Sequence, residues 1–276
     1  MSARLSVLKL GGSVLRDDAS YAAAARFLQT RLARNQDERL VVIVSAQYGT
    51  TDDLLAEAQI IANQPSQNAL DLLWSTGELR SVAILALHLQ KIGVSAAPLN
   101  VHQTGLVACP EQGREADRLN GTTVRPLRLL AALAHARIVV VPGFFGVSAG
   151  GAITSLGRGG SDLTAVLLAA AVRADACELI KDVPGYFTAD PHRRTDARPI
   201  HDLTIDEALQ MADAGCDLVQ RAALAAAAAA GLPLVIRSMD AAAHVTHVHS
   251  SNSGKDRSQH HGVRDQDDSR GPAVGA

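Results

Sequence analysis

Short aliphatic runs alternate with longer helical patterns along this chain, and that alternation constrains its fold more than any other feature. The run Leu40–Val44 has the sequence Leu-Val-Val-Ile-Val, which is typical of a strand buried on both faces. The same reasoning predicts strands over Leu5–Leu10, Ile138–Val141, Cys177–Ile180 and Leu234–Ile236. Helical patterns cover Ser20–Ala33, Asp52–Ala62, Ala69–Lys91, Leu163–Val172, Thr204–Ala212 and Leu218–Ala230. We therefore expect an α/β fold, a three-layer α/β/α sandwich with helices on both faces of a mostly parallel central sheet.

Two of these helices carry end signals. Thr204 and Glu207 form the Thr-x-x-Glu pattern of a capping box, in which each side chain bonds the backbone N–H of the other residue. Gly231, followed by Pro233, predicts the end of the Ala-rich helix.

Composition excludes several classes of function. The 276 residues carry a net charge of −2 and only 3% aromatic residues, so neither a basic field nor stacking platforms indicate nucleic-acid binding. No apolar run is long enough to cross a bilayer, and Met1–Leu10 lacks the features of a signal peptide. Cys109, Cys177 and Cys216 are widely separated, which favours reduced thiols and a cytoplasmic location.

The chain changes character after about Ala241. Residues 246–276 are rich in Ser, Gly, Asp, Arg and His, a composition that buries too little apolar surface to offset its ordering entropy. Five histidines lie beyond Ala241, but they show no defined metal-ligand spacing: His244, His247, His249, His260 and His261. We therefore expect a folded domain over residues 1–240 and a disordered, polar, His-rich tail over residues 241–276.

Ligands of such sheets bind at loops that leave the carboxyl ends of strands, so these loops are the first place to look for chemistry. The first one is Lys9-Leu10-Gly11-Gly12-Ser13. Its glycines let backbone N–H groups approach an anion, and Lys9 adds a positive charge. A phosphate site is one interpretation, and a tight strand-to-helix turn with an unrelated lysine is the other.

The second loop, Gly157-Arg158-Gly159-Gly160-Ser161-Asp162, immediately precedes an apolar helix. Ser161 or Asp162 can cap that helix, and Arg158 can grip a carboxylate through two hydrogen bonds. No Gly-Lys-Ser/Thr follows, so the loop is not a P-loop. It is not a dinucleotide-binding fingerprint either, because Asp162 stands at the position of the third glycine. A flexible surface turn is the alternative interpretation.

Two further segments carry candidate residues. Lys181 and Asp182 follow a predicted strand and lead into an aromatic loop, Val183–Pro191. One interpretation is that this loop binds a nucleotide, and the other is that it is an ordinary surface loop with Pro-Gly and Asp-Pro turns. Glu78, in Ser75-Thr76-Gly77-Glu78, either faces a ligand amine or is a solvated residue near a helix start. When this segment is considered alone, we expect Glu78 to be a solvated residue.

Together these segments resemble the amino acid kinase family, and most closely the catalytic domain of its aspartate kinases. Lys9–Ser13 resembles the opening Lys-x-Gly-Gly-Ser/Thr motif, and Val44-Ser45-Ala46 with Thr51-Asp52 resembles the second motif. Ser75–Ser81 resembles the Gly-Glu segment. Thr154–Asp162 and Lys181–Pro191 match the two most specific motifs. The resemblance spans residues 5–238 with its motifs in the expected order.

The resemblance implies that ATP phosphorylates the side-chain carboxylate of aspartate, with Mg²⁺ held mainly by the phosphates. By this likeness the catalytic residues are Lys9 and Asp162, and five residues bind the amino acid: Ser45, Thr51, Glu78, Arg158 and Ser161. The nucleotide would contact Lys9, Gly11, Gly12, Lys181, Asp182, Phe187 and Asp190. A carboxylate is already ionised at neutral pH, so no general base is needed and catalysis depends on positioning and positive charge.

The sequence departs from the aspartate kinase pattern at three places. Asp217 replaces the lysine of the Gly-Ala-Lys-Val-Leu-His-Pro motif, His192 replaces the arginine after Asp190-Pro191, and Gln47-Tyr48-Gly49-Thr50 replaces Met-Gly-Gly. These changes place nucleotide affinity and turnover in question more than the fold. Three alternatives follow: an active kinase with altered ATP contacts, an inactive homologue that binds a ligand or partner subunit, and a kinase for another small carboxylate.

Two further expectations concern assembly and regulation. Family likeness suggests a homodimer whose partners are ATP and a small amino acid, with neither nucleic acid nor membrane involved. Aspartate kinases usually continue into C-terminal regulatory domains, whereas this sequence ends in the polar tail. We therefore expect no feedback inhibition by lysine or threonine through this polypeptide.

Overall fold

The computed structural model describes residues 4–108, 122–157, 159–191, 193–240 and 242–250. The strands are β1 (Leu5–Leu10), β2 (Arg39–Val44), β3 (Ala96–Pro98), β4 (Leu106–Val107), β5 (Thr123–Val124), β6 (Ile138–Pro142), β7 (Phe145–Val147), β8 (Ile153–Ser155), β9 (Ala176–Ile180), β10 (Asp202–Thr204), β11 (Leu234–Arg237) and β12 (Thr246–His249). The helices are α1 (Asp18–Arg34), α2 (Thr50–Ile61), α3 (Gln67–Lys91), α4 (Val101–Thr104), α5 (Leu127–His135), α6 (Gly160–Val172), α7 (Ile205–Asp213) and α8 (Arg221–Ala230).

An eight-stranded sheet in the order β10-β12-β11-β9-β1-β2-β6-β3 forms the centre of the fold. Strand β1 lies parallel between β2 and β9, with Lys9 opposite Ile43 on one side and Leu179 on the other. Within this sheet only the β11–β12 pair is antiparallel in the described part of the chain. The mostly parallel sheet expected from the aliphatic runs is confirmed.

Alternate residues of the strands feed two separate hydrophobic cores, because successive side chains of a strand point to opposite faces. Leu8 and Val42 pack with α1 and α3 on one face, where Leu28 and Leu85 are fully buried. On the other face, Val7, Val41 and Val139 pack against α5, α6, α7 and α8. The three-layer α/β/α sandwich is therefore confirmed.

A second, four-stranded sheet in the order β5-β4-β7-β8 was not expected from the sequence. Its strands are only two or three residues long, too short for hydrophobic alternation to distinguish them from loops. Gly146 of β7 allows the strands of this small sheet to pack closely, because a Cβ at this position would overlap the side chain of Leu106.

The expected helix end signals are confirmed. Thr204 accepts a hydrogen bond from the backbone N–H of Glu207, whose carboxylate in turn accepts one from the Thr204 N–H. Gly231 ends α8 in the left-handed conformation, with φ of 59°. The start of this helix was placed too early: α8 begins at Arg221 rather than Leu218, because Leu218–Gln220 form part of a loop that reaches the cavities described below.

The expectation of a disordered tail is wrong for residues 246–249. They form β12, which inserts between β10 and β11, with Thr246 and Val248 fully buried. Apolar Val245 and Val248 are too sparse for composition to signal a strand, and its stability comes from pairing on both sides. The predicted boundary at residue 240 therefore falls inside the sheet, while His260 and His261 lie outside the described residues.

No helix in the described ranges is both long and apolar enough to cross a membrane.

A buried ion network ties α1 to the sheet at the start of β2. Arg31 contacts Glu38 through an N···O distance of 2.8 Å and Glu178 of β9 through one of 2.6 Å. Ser6 Oγ also donates to Glu38 Oε1 at 2.6 Å. Burial would raise the pKa of Glu38, but the hydrogen bonds from Arg31 and Ser6 outweigh burial and lower it. Ionised Glu38 therefore stabilises the fold above its unfolded pKa, and this contribution is lost as the pH falls through its lower folded value.

Replacement of Arg31 by alanine should leave two buried carboxylates without their shared cation. We expect the free energy of unfolding at pH 7 to fall by about 3–5 kcal/mol, with a smaller loss near pH 4, where protonation of Glu38 removes its unpaired charge. Urea unfolding at both pH values measures the difference. Arg34→Ala, an exposed change on the same helix, is the matched control; equal losses in the two variants would contradict this role for Arg31.

Candidate active site

The carboxyl ends of β1 and β9 and the start of α6 bring three charged residues into contact. Lys9 is the penultimate residue of β1, Lys181 follows β9 directly, and Asp162 lies in the first turn of α6. Lys9 points to the α6 side of the sheet because its neighbours Leu8 and Leu10 both pack on the opposite face. Strand alternation and the helix start therefore direct these side chains to one point.

Asp162 binds both lysines, one with each carboxylate oxygen. Lys9 Nζ lies 2.8 Å from Oδ1, and Lys181 Nζ lies 2.7 Å from Oδ2. The side chain of Asp162 is only 3% exposed, and those of Lys9 and Lys181 are 9% and 11% exposed. Burial would raise the pKa of Asp162, but the two ammonium groups outweigh it and lower the pKa to about 2. The cluster thus holds two positive charges against one negative charge and carries a net charge of +1.

Glycines bring the backbone close to this cluster. A Cβ on Gly11 would lie 3.1 Å from Lys9 Nζ, and a Cβ on Gly12 would lie 2.9 Å from the carbonyl oxygen of Ala46. Any side chain at Gly12 would therefore push the loop after β1 away from the loop after β2. Gly12 lines the cavity described below, whereas Gly11 does not, and its predicted contact with the phosphates stays a prediction.

Glu78 lies in the middle of α3 and is only 3% exposed, so the expected solvated position near a helix start is wrong. Its Oε1 accepts a hydrogen bond from the Ala46 N–H at 3.2 Å, and its buried Oε2 has no hydrogen-bond partner in the described part of the chain. Burial raises the pKa of Glu78 to about 7, against the opposing effect of the Ala46 hydrogen bond. A buried acceptor of this kind is suited to a ligand that brings a positive hydrogen-bond donor.

A cavity of about 420 Å³ joins the charged cluster to Glu78. Eight of the predicted site residues line it: Lys9, Gly12, Ser45, Thr51, Glu78, Ser161, Asp162 and Lys181. Sequence reasoning missed Tyr48, Phe144 and Gln220, which also line the cavity. Phe144 directly follows Pro142-Gly143 at the end of β6, so the rule about strand ends would have found it.

A second cavity, of about 590 Å³, is lined by Phe187 and Asp190, which were predicted to bind the nucleotide, and by Asp217. Two chain segments connect the cavities: Lys181 lines the first and Val183 the second, while Gln220 lines the first and Leu218 the second. The two cavities therefore lie on either side of the same two loops.

The remaining predicted residues are placed differently. Asp182 is exposed and forms an ion pair with Arg16 at 3.7 Å, and it does not line either cavity within the described residues. Its predicted contact with a nucleotide stays a prediction. Arg158 and His192 lie outside the described residues, as does Cys109.

The sequence motifs agree with a comparison against protein families. A model of the amino acid kinase family matches residues 4–238, which is most of the chain. The chain belongs to the amino acid kinase family.

Curated relatives that the chain matches are named aspartokinase. The chain is 42% identical over 199 residues to the aspartokinase of Geobacillus stearothermophilus, a match that covers 72% of this chain and 48% of the relative. It is 38% identical over 235 residues to that of Thermus thermophilus, covering 85% of this chain and 56% of the relative. The chain therefore spans about half the length of the curated relatives that it matches.

Solved structures give the same result. The aspartate kinase from Synechocystis superposes with a TM-score of 0.77 at 35% identity, covering 89% of this chain and 40% of that one. E. coli aspartokinase III in complex with aspartate and ADP superposes with a TM-score of 0.75 at 26% identity, covering 90% and 65%. The UMP kinase of Ureaplasma parvum, at 14% identity and a TM-score of 0.59, shares the fold of the family.

The raised pKa of Glu78 predicts that its carboxylate destabilises the ligand-free kinase fold at alkaline pH. The shift from 4.5 to about 7 is worth roughly 3 kcal/mol, because each pKa unit corresponds to about 1.4 kcal/mol. The folded state binds the proton more tightly, so this contribution to stability is full below pH 4.5 and is lost as the pH rises through 7.

Glu78→Gln keeps an acceptor for the Ala46 N–H but cannot ionise. We expect its stability advantage over the parent protein to grow by roughly 3 kcal/mol between pH 4 and pH 8.5. Urea unfolding at the two pH values measures this growth, with Glu57→Gln, an exposed position on α2, as the control. A pH-independent difference would show that Glu78 is not held neutral by burial.

Proposed function

We propose that this chain is the catalytic part of an aspartate kinase, which transfers the γ-phosphoryl group of ATP to the side-chain carboxylate of L-aspartate. The observation that carries the proposal is the cavity that holds both the Lys9–Asp162–Lys181 cluster and the unpartnered carboxylate oxygen of Glu78. One end suits a polyanion, and the other suits an ammonium group. The similarity to relatives named aspartokinase supports the choice of aspartate.

The charged cluster provides the electrostatic part of catalysis. A carboxylate oxygen of aspartate attacks the γ-phosphorus, and the bond to the oxygen that bridges the β- and γ-phosphates breaks as ADP leaves. Negative charge accumulates on the transferring group, which Lys9 and Lys181 are placed to stabilise. Asp162 keeps both ammonium groups fixed between reactions, so that no reorganisation is needed during the transfer.

Several side chains around the cavity would orient the amino acid. Glu78 receives the ammonium group, and Ser45 and Thr51 offer hydroxyl groups from the loop after β2 and the start of α2. We expect Arg158 to bind the α-carboxylate and Ser161 to order that loop. This arrangement recognises a zwitterion, which favours an amino acid over a simple carboxylic acid.

The second cavity would hold the nucleoside. Phe187 and Asp190 line it, and the connecting loops carry the chain from there to Lys181 in the first cavity. Mg²⁺ would enter with ATP: within the described ranges no group of three His, Cys, Asp or Glu side chains could hold a metal ion, and Asp162 is occupied by two lysines. The phosphates would therefore supply most of the ligands, as magnesium commonly requires.

The remaining parts of the proposal concern assembly and location. A homodimer is supported by β3, an edge strand of the large sheet, and by the exposed Leu87 of α3, which line one surface groove. A cytoplasmic location is supported by the requirement for ATP and by the free thiols of Cys177 and Cys216.

One observation favours a second candidate, an inactive homologue that binds a ligand or a partner subunit. Asp217 places a carboxylate in the second cavity, where a nucleotide would bring its own negative charges. Like charges at this position weaken nucleotide binding, although its exposure to solvent limits the effect.

Turnover distinguishes the two candidates. Incubation with ATP, Mg²⁺, L-aspartate and hydroxylamine should yield hydroxamate, because hydroxylamine traps an acyl phosphate. Lys9→Ala should lower the rate by about 100-fold or more, while Lys181 still pairs with Asp162 and maintains the fold. No hydroxamate together with measurable binding of ATP or aspartate would support the binding protein instead. Glutamate in place of aspartate tests the choice of acceptor.

Asp217→Lys should tighten ATP binding by about threefold to tenfold, because it changes two units of charge at an exposed position beside a polyanion. Calorimetric titration with a non-hydrolysable ATP analogue measures the dissociation constant. Asp37→Lys makes the same charge change at an exposed position that lines neither cavity and serves as the control. Unchanged or weaker binding in Asp217→Lys would show that Asp217 has a role of its own.

A further inference from the structure

The segment 242–250, which lies beyond the residues matched by the family, packs against the proposed nucleoside cavity. It contains β12 and the residues just before that strand. Besides pairing with β10 and β11, it contacts the aromatic loop, residues 183–191, which supplies much of the wall of the second cavity. This segment therefore touches the proposed site from behind, without lining it in the described part of the chain.

Thr246 fixes the backbone of the aromatic loop. Its Oγ1 accepts a hydrogen bond from the Tyr186 N–H at 2.9 Å and donates one to the carbonyl oxygen of Ile200 at 2.6 Å. The Ile200 N–H in turn donates to the carbonyl oxygen of Tyr186 at 2.9 Å. Thr246 is fully buried, so a single hydroxyl group joins the two chain segments on either side of the loop.

His244 supports the side chain of Phe187. The two rings meet edge to face, with centroids 4.7 Å apart and planes at 89°. His201 packs on His244 from another side at 5.6 Å. Phe187 therefore has the nucleoside cavity on one side and an imidazole ring on the other.

Gly185 allows this close approach. A Cβ at Gly185 would lie 2.9 Å from His244 Nε2 and would overlap the hydroxyl group of Thr246. The loop therefore passes directly beneath both residues, and a larger residue at this position would separate them from the loop.

We propose that His244 and Thr246 are positioning residues for nucleotide binding, which act by holding Phe187 and the backbone at Tyr186 in the geometry of the second cavity. This inference rests on the proposed function, because it assigns that cavity to the nucleoside of ATP. A wall that is ordered before binding lowers the entropic cost of binding. Neither residue reaches the charged cluster, so the transfer step itself does not depend on them.

The inference makes a selective prediction. His244→Ala should weaken binding of ATP by about threefold to tenfold, the range that corresponds to one side chain that must be ordered on binding. The KM for aspartate and the kcat should change by less than about twofold. His244→Phe keeps an aromatic edge against Phe187 and should restore most of the affinity. His247→Ala, an exposed change on β12, is the control and should have no effect.

Thr246 is tested with a matched pair of substitutions. Thr246→Val removes the hydroxyl group with little change in shape, whereas Thr246→Ser retains both hydrogen bonds. Hydrogen exchange of residues 183–191 should accelerate in Thr246→Val and His244→Ala, and remain unchanged in Thr246→Ser and His247→Ala. This measurement needs no ligand and uses the full-length chain.

The outcomes separate this inference from the proposed function. If exchange accelerates but the parent protein binds neither ATP nor ADP, the proposed function fails, and the assignment of the cavity to a nucleotide fails with it. The conclusion that His244 and Thr246 hold the aromatic loop is then retained. If the parent protein binds ATP, unchanged affinity and unchanged exchange in both variants overturn the inference alone. An equal loss of affinity for ATP and aspartate would also overturn it.

Discussion

The contact of one carboxylate with two ammonium groups is the interaction on which the site depends. Lys9, Asp162 and Lys181 come from three separate parts of the sequence, and they meet because parallel strands place their carboxyl ends at one edge of the sheet. Two lysines this close would repel each other without Asp162, and burial together with Lys9 already lowers the pKa of Lys181. The helix start at Gly160 supplies the balancing charge at the point where the strands end.

That electrostatic balance also explains how the site can hold opposite charges at its two ends. The cluster retains one net positive charge, whereas Glu78 is a potential negative charge across the same cavity. The sequence replaces a basic residue of the family pattern by Asp217, but it does so in the second cavity and leaves the cluster intact. Of the departures from the family pattern, Asp217 therefore lies in the cavity proposed for the nucleoside, whereas Gln47, Tyr48 and Gly49 line the cavity that holds the charged cluster.

Much of this arrangement could be predicted from the sequence, because long aliphatic runs and glycine-rich loops carry their own physical signals. The bounds of β1 were predicted to the residue, and Lys9 and Lys181 were identified by their places at strand ends. Glu78 could not be placed in this way: its burial in the middle of α3 depends on how that helix packs beside Ala46. β12 was missed because its stability comes from its partners, β10 and β11, rather than from its own composition. The strands of the small sheet were too short to show any period.

The position of Glu78 has a consequence for the heat of ligand binding. With a pKa of about 7, a sizeable fraction of this carboxyl group carries a proton at neutral pH in the empty protein. An arriving ammonium group favours the ionised form and expels that proton into the solvent. The enthalpy recorded for amino-acid binding would then depend on the ionisation enthalpy of the buffer. Acidification would weaken the complex because protons and ligand compete for the same oxygen atoms.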